Sequence, residues 1–200
     1  IMALTRLNTN AFGTSVNLTS NVTGTLPTAN GGTGATSFTA GITGADIWRI
    51  NANFDLPNST TTISSGWERS DESAYAKIGT GMTESSGIFT FPGTGIWNVR
   101  FVAQSYSTNY AATNATAYIY STTNNSSYQE EARAWLGYEA AGGNPPSRCN
   151  SNCETTIDVT DTSNVKVKFM GVDNDNTDFG LEGSTDANVT HAIFTRLGDT

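Results

Sequence analysis

The only histidine of the chain, His191, is the first candidate for catalysis, because imidazole is the side chain used most often for proton transfer. It lies in Ala/Ile/Phe-rich sequence with no nucleophile beside it, although the members of a Ser-His-Asp triad need not be neighbours in the chain. The carboxylates available for the acid pair of a glycosidase are Glu130, Glu131, Asp173 and Asp175. No pattern selects two of them. The sequence therefore predicts no catalytic residue and no enzyme, with glycan cleavage as a less favoured alternative.

The two cysteines, Cys149 and Cys153, stand four positions apart in Asn/Ser-rich sequence. A zinc site would need a second cysteine pair or a pair of histidines, and the chain has no further cysteine and a single histidine. Two interpretations stay open. The one we favour is a small loop disulfide formed after release into an oxidising medium, and the other is two free thiols in a loop.

An acidic run, Asp173-Asn-Asp-Asn-Thr-Asp178, places carboxylates at Asp173, Asp175 and Asp178. Hard oxygen ligands at alternate positions suit calcium, but the glycine and the distal glutamate of an EF-hand loop are absent. A solvated turn is the favoured interpretation and a calcium site is the alternative. No other cofactor is indicated.

Aromatic residues in loop-rich stretches are candidates for ligand binding. They are Tyr110, Tyr128, Trp135 and Tyr138, with Tyr106 as a further member of the group. Such rings, with Asn, Asp and Ser nearby, stack well on sugars. The alternative is that they pack between strands or subunits.

The composition excludes several classes of protein. A net charge of −8 argues against nucleic acid as a partner, since phosphate contacts need a basic face. No apolar run approaches the roughly 20 residues of a membrane span, so no membrane insertion is expected. Four Trp, seven Tyr and nine Phe argue against overall disorder. Abundant Gly, Ser, Thr and Asn are typical of an all-β protein with many turns.

Short strands must position these candidates. Predicted strands cover residues 46–55, 60–67, 74–79, 115–121, 129–138, 155–159, 165–169 and 189–197, together with a hairpin over 87–106. Helix propensity competes at 129–138, but a strand is favoured there. Residues 1–45 contain only isolated apolar residues and predict an extended segment that is ordered, if at all, against other chains.

The hairpin predicts the centre of the core through its alternation. Its second strand puts one set of side chains inward and Asn98, Arg100 and Gln104 on the opposite face, a candidate subunit contact. A second alternating run points Lys166 and Lys168 outward. The predicted core residues are Trp97, Val99, Phe101, Val165, Val167 and Phe169.

Two motifs carry resemblances to known families. Leu26-Pro-Thr-Ala-Asn-Gly-Gly-Thr-Gly-Ala-Thr36 resembles an element that recurs in tail-fibre and appendage proteins of bacteriophages. Gly87-Ile-Phe-Thr-Phe-Pro-Gly-Thr-Gly-Ile-Trp-Asn-Val-Arg-Phe101 resembles the core motif of the jelly-roll heads of complement globular heads and the tumour-necrosis-factor superfamily, with Trp97 and Val99 where those heads usually carry Tyr and Phe. The second resemblance spans residues 46–200.

Together these resemblances imply an architecture and a function. The expected fold is an all-β jelly-roll sandwich of about ten antiparallel strands over 46–200. It would form a homotrimer, preceded by an attachment segment over 1–45 that contacts other phage tail or virion proteins. The expected function is that of a phage tail fibre or fibre tip whose head binds a host cell-surface glycan or protein. Its expected location is the tail or another surface appendage of the virion, which is extracellular after release. A decoration, baseplate or capsid fibre component without host binding is the alternative.

Overall fold

The computed structural model describes residues 41–107, 114–137, 147–175 and 179–200, and in these residues it contains thirteen β-strands and no helix. No segment of this part of the chain is therefore a helix able to span a membrane. The strands are β1 (Ala45–Ile50), β2 (Phe54–Asp55), β3 (Thr61–Thr62), β4 (Trp67–Arg69), β5 (Thr83–Ser85), β6 (Ile88–Thr90), β7 (Gly95–Ser107), β8 (Asn114–Thr122), β9 (Gln129–Gly137), β10 (Ser147–Val159), β11 (Lys166–Asp173), β12 (Phe179–Leu181) and β13 (His191–Gly198).

The strands form two antiparallel sheets. Sheet I has the order β2-β12-β7-β13-β1-β4, and β10 pairs with the other edge of β7 along its whole length. Sheet II has the order β5-β6-β11-β8-β9, and β3 pairs with β11 beyond the end of β6. Sheet-on-sheet packing with these long crossovers is the jelly-roll sandwich that the sequence predicts. Ile42–Thr200 form one compact unit.

The strand β7 alternates between buried and half-buried residues over its full length of 13 residues. Three of the six predicted core residues belong to its inward set, and the other three lie in the first half of β11 and just before it. Each of the six is at most 1% exposed. Asn98, Arg100 and Gln104 lie on the opposite, half-exposed face. The predicted alternation of this strand is therefore confirmed.

The predicted hairpin over 87–106 is wrong in its pairing, although the strand, turn and strand are present. β6 pairs with β11 in sheet II, whereas β7 pairs with β10 and β13 in sheet I. The turn crosses from one sheet to the other. Gly95 begins β7 at a φ of 132°, and a Cβ there would lie 2.4 Å from the carbonyl oxygen of Gly198. A tight approach of two backbones thus requires glycine at this corner.

Aromatic rings fill the space between the sheets. Phe101 of sheet I and Phe169 of sheet II have ring centroids 4.7 Å apart. Phe194 packs against Phe89 at 5.2 Å, and Trp67 packs against Phe89 at 5.1 Å with near-perpendicular planes. Aromatic pairs of this kind contribute about 0.5–1.5 kcal/mol each beyond burial of their area. This cluster joins the two sheets.

Several predicted strand boundaries need correction. The predicted strand 60–67 is two short strands in different sheets, because Gly66 turns the chain at a φ of 79° between β3 and β4. Residues 74–79 contribute only an isolated bridge from Ile78 to Ala45. The favoured strand at 129–138 is confirmed as β9. The attachment segment and its Gly-Gly-Thr-Gly element lie outside the described residues, so the predicted domain boundary stays a prediction.

Candidate functional site

The outer surface of sheet II carries a group of aromatic and charged side chains that we call the aromatic face. Inward-pointing residues of β8 and β11, such as Ile119 and Phe169, are fully buried, so their neighbours along each strand point outward. The aromatic face comprises Tyr118 and Tyr120 of β8, Trp135, Arg133 and Glu130 of β9, Lys168 and Met170 of β11, and Tyr128 from the turn before β9.

Strand register sets the neighbours on this face. Tyr120 lies opposite Lys168 on one side and opposite Glu130 on the other. Tyr118 lies opposite Met170 and Arg133 in the next outward row. Directly opposite side chains on one face of a sheet are close enough to touch. Each tyrosine of β8 therefore has one cation as a direct neighbour, Lys168 for Tyr120 and Arg133 for Tyr118.

A β-bulge adjusts one edge of the face. The register between β8 and β9 shifts between Ile119 and Tyr120, so Glu131 has no partner directly opposite. Its carboxylate accepts a hydrogen bond of 2.6 Å from the Ser121 hydroxyl. The extra residue re-aims the strand and brings Glu130 opposite Tyr120.

Cations and rings make direct contacts here. The ammonium of Lys168 lies 4.3 Å from the ring centroid of Tyr128, and the guanidinium of Arg133 lies 5.8 Å from that of Tyr118. Tyr118 and Tyr120 pack edge to face at 5.9 Å. Such cation–π contacts contribute about 0.5–1 kcal/mol at exposed sites. They hold the rings in defined orientations.

Burial shifts the proton equilibria of the face. It raises the pKa of Tyr128, and it raises the pKa of Tyr120 together with the charge of Glu130. It lowers the pKa of Lys168, because the ammonium is removed from water. The Tyr128 hydroxyl is buried and has no hydrogen-bond partner in the part of the chain that the structure describes.

Trp135 gives the face its most accessible apolar surface, with 62% of the residue exposed. It stands opposite Thr116, four residues along β8 from Tyr120 and so about 13 Å away along the strand. A single exposed apolar residue is ordinary, but several exposed rings on one continuous surface are typical of a ligand or partner site. The arrangement offers flat apolar rings spaced along two strands, with charged groups between them.

Two of the four predicted ligand-binding residues, Tyr128 and Trp135, lie on this one face. Tyr110 and Tyr138 fall outside the described residues. Tyr106 is on sheet I instead, where its hydroxyl donates to Asp55 at 2.8 Å. The prediction missed Tyr118 and Tyr120, although the alternation around buried Ile119 is a signal for two outward rings.

The carboxylates of the acidic run are engaged with backbone amides. Asp173 is 1% exposed and accepts from the amides of Asp175 and Phe179 at 3.0 and 3.3 Å. Asp175 accepts from the amide and the side chain of Asn114 at 2.8 and 2.9 Å. Asp178 lies outside the described residues, among which no three metal-binding side chains cluster. The calcium site stays a prediction.

The cysteines lie in a strand, which corrects the predicted loop. Cys149 and Cys153 both belong to β10 and are both free. Four strand residues span about 13 Å, whereas bridged cysteines have Cα atoms within about 7 Å. The favoured disulfide therefore does not fit this conformation. Burial, with a smaller effect from Glu130, raises the pKa of the Cys153 thiol to about 12.

His191 begins β13 and is half-buried on the outer surface of sheet I. Its Nδ1 lies 3.1 Å from the carbonyl oxygen of Val189. Burial, together with the charge of Arg100, lowers its pKa. Within the described residues the ring has no hydrogen bond to a carboxylate. The prediction that the chain is not an enzyme stays a prediction.

Comparison with solved structures finds the same sandwich elsewhere. Eiger TNF from S. frugiperda matches with a TM-score of 0.51 at 11% identity, over 78% of this chain and 93% of that chain. Murine APRIL matches with a TM-score of 0.50 at 12% identity, over 77% and 98%. PRD1 vertex protein P5 has a TM-score of 0.48 at 13% identity, over 80% and 100%. No family model and no curated protein matches the chain.

The likenesses to Eiger TNF and APRIL define the class of fold. The chain is a jelly-roll sandwich of the kind seen in Eiger TNF and APRIL, which confirms the predicted head fold. At 11–12% identity the likeness extends to the fold alone. Fold does not fix function, so function must be argued from the surfaces of this chain.

Proposed function

We propose that the chain is a virion fibre protein whose trimeric head binds a host-surface glycan through the aromatic face. The observation that carries the proposal is the 62% exposed ring of Trp135, on the same outer surface as three tyrosines. Aromatic rings present an apolar face to the C–H groups of a sugar, and nearby polar groups hold its hydroxyls. The bacteriophage element at 26–36 supports a place on the virion.

Assembly as a trimer is supported by the outer surface of sheet I. One row of direct cross-strand neighbours there runs Ile47, Ile193, Arg100 and Glu154. The two isoleucines are half-exposed. Arg100 has a buried Nε that lacks a hydrogen-bond partner within the described residues. An unsatisfied buried donor costs about 1–3 kcal/mol, so an acceptor from a neighbouring copy would stabilise this face.

The roles of the two surfaces follow from this division. Sheet I faces the neighbouring copies, and the aromatic face of sheet II points away from them toward the ligand. The segment over 1–45 attaches the head to other virion proteins. Three copies would present three aromatic faces, which increases avidity for a repeating glycan.

An array of bacterial surface polysaccharides, probed with the full chain, tests the binding role. We expect binding to a subset of glycans and about tenfold weaker binding by Trp135→Ala. Ile78→Ala is the matched control, since Ile78 is 44% exposed and lies in the segment between β4 and β5, outside the aromatic face. A chain that binds no array glycan contradicts the proposal and favours the structural decoration role. Release of reducing ends from a bound glycan would instead indicate a cleaving spike.

A further inference from the structure

The aromatic face carries an excess of positive charge in a chain whose net charge is −8. The face contains two cations, Arg133 and Lys168, and a third, Lys166, lies two residues before Lys168 on the same side of β11. Glu130 of β9 is the carboxylate of the face among the described residues, and it forms an ion pair with Arg133 of the same strand at 2.6 Å. The two lysines therefore remain as uncompensated charges.

Lys168 is the cation best placed for a ligand. It is half-buried between Tyr120, its cross-strand neighbour, and the ring of Tyr128. No carboxylate forms an ion pair with it among the described residues. Within the same described ranges, Lys166 donates only to neutral oxygens, the Thr90 hydroxyl at 3.0 Å and the Thr162 carbonyl at 2.8 Å. A half-buried ammonium without a counter-charge is costly, and an anion from a ligand would offset that cost.

The spacing of the rings favours a polymer over a single terminal sugar. Tyr118 and Tyr120 follow one strand, and Trp135 lies beyond them on the neighbouring strand, so apolar rings extend about 13 Å from the level of Lys168. A single pyranose covers one ring. A chain of sugars covers the row and places repeated carboxylates beside the lysines.

We infer that the aromatic face binds an acidic polysaccharide containing uronic acids, with a sugar carboxylate at Lys168 and pyranose rings on Tyr118, Tyr120 and Trp135. This inference rests on the proposed function and specifies its ligand. Charge complementarity is the reason for choosing an acidic over a neutral polymer. The attraction is also expected to weaken with added salt, because the partners are partly exposed.

The test uses pairs of polysaccharides that differ only in their carboxylates. Binding of the full chain is measured to a set of uronic-acid polymers, each in its native form and after reduction of its carboxylates to alcohols. Neutral dextran is included as a further probe. We expect native polymers to bind at least about tenfold more tightly than their reduced forms, and more weakly as salt is raised.

Variants locate the effect. Lys168→Gln should weaken binding of the native polymer about tenfold. Lys168→Arg should retain most of the wild-type affinity, because it keeps the positive charge. Lys77→Gln is the matched control, since Lys77 is exposed and donates only to the carbonyls of Gly79 and Thr80. Thermal melting of each variant shows that it is folded.

The outcomes separate the inference from the function on which it rests. Equal affinity for native and reduced polymers, or binding of neutral glycans alone, contradicts the inference that the ligand is acidic. It remains consistent with the proposal that the head binds a glycan. Tight binding of native polymers that Lys168→Gln does not weaken overturns the assigned site. Absence of binding to every polysaccharide overturns both proposals.

Discussion

The guanidinium of Arg69 donates to both carboxylate oxygens of Asp46, at 3.0 and 3.2 Å, although the Asp46 side chain is almost completely buried. The same carboxylate accepts from the Tyr75 hydroxyl at 2.6 Å, the Trp48 indole at 2.9 Å and the Met82 amide at 2.8 Å. These donors come from β1, β4 and the segment before β5. Asp46 thus ties the edge of sheet I to the loop that leads to sheet II.

Replacing this carboxylate should destabilise the head. Asp46→Asn keeps the size of the side chain but removes the charge that faces Arg69, and we expect a loss of about 3 kcal/mol in the free energy of unfolding. Urea unfolding followed by tryptophan fluorescence measures it. Asp199→Asn is the control, because its ion pair with Arg196 is 91% exposed on the aspartate side and should contribute less than about 1 kcal/mol. Equal losses in the two variants would contradict the role of Asp46.

The hydrogen-bonded cluster around Asp46 should make the stability of the head depend on pH in both the acid and the alkaline range. Burial would raise the pKa of Asp46, but hydrogen bonds from Arg69, Tyr75, Trp48 and Met82 outweigh it, so the pKa lies below the usual 3.8. Its contribution is therefore complete above pH 3.8 and is lost as the pH falls through the folded-state pKa. Burial and the Asp46 hydrogen bond raise the pKa of Tyr75 to about 12.

Tyr75 should make the free energy of unfolding fall at high pH rather than at low pH. Its contribution is complete below its ordinary pKa of 10 and is lost as the pH rises toward 12. Unfolding free energies measured across both windows should show the acid loss in the wild type but not in Asp46→Asn. The alkaline loss should be smaller in Tyr75→Phe. A profile that is the same in all three proteins would contradict this assignment.

Local pattern predicts faces well in this chain and pairing poorly. The alternation that buries Val99 and exposes Arg100 is a property of consecutive residues, so the sequence carries it directly. β6 pairs with β5 on one side and, on the other, with β11, which lies more than 70 residues further along the chain. No local signal distinguishes β11 from the adjacent β7 as that second partner. Exposure of Tyr118 and Tyr120 depends likewise on whether another element covers sheet II, which is a property of the whole fold.

The cysteines should behave as two free thiols of different reactivity. Ellman's reagent should count two thiols per chain after denaturation without reductant, because β10 holds Cys149 and Cys153 too far apart to bridge. In the folded protein Cys153 should be protected, since it is 6% exposed and its pKa is raised to about 12. Cys149 is half-buried and should react first. Fewer than two thiols per chain in a sample that is monomeric after denaturation would support the disulfide between Cys149 and Cys153 instead.

Removal of divalent cations tests the acidic run. Because the carboxylates of Asp173 and Asp175 already accept hydrogen bonds from backbone amides, we expect EDTA to leave the melting temperature unchanged within about 1 °C. The control is the same melt with added magnesium. A rise of several degrees with millimolar calcium, abolished by Asp175→Asn, would establish the calcium site instead.

We expect the proposed trimer to form through the outer face of sheet I, where Arg100 lies beside Ile193 and opposite Glu154. Light scattering after size exclusion should give three times the chain mass of 21.1 kDa. Arg100→Glu places a second carboxylate beside Glu154 of the same chain, and a subunit contact would have to bury both charges without a cation. The protein concentration at which the trimer dissociates should therefore rise about tenfold. Lys77→Glu makes the same charge change at an exposed loop and should leave the mass unchanged. A wild-type monomer at micromolar concentration would contradict the assembly. A trimer that is unaffected by Arg100→Glu would place the interface on another surface, since two adjacent carboxylates buried at a subunit contact would weaken that contact.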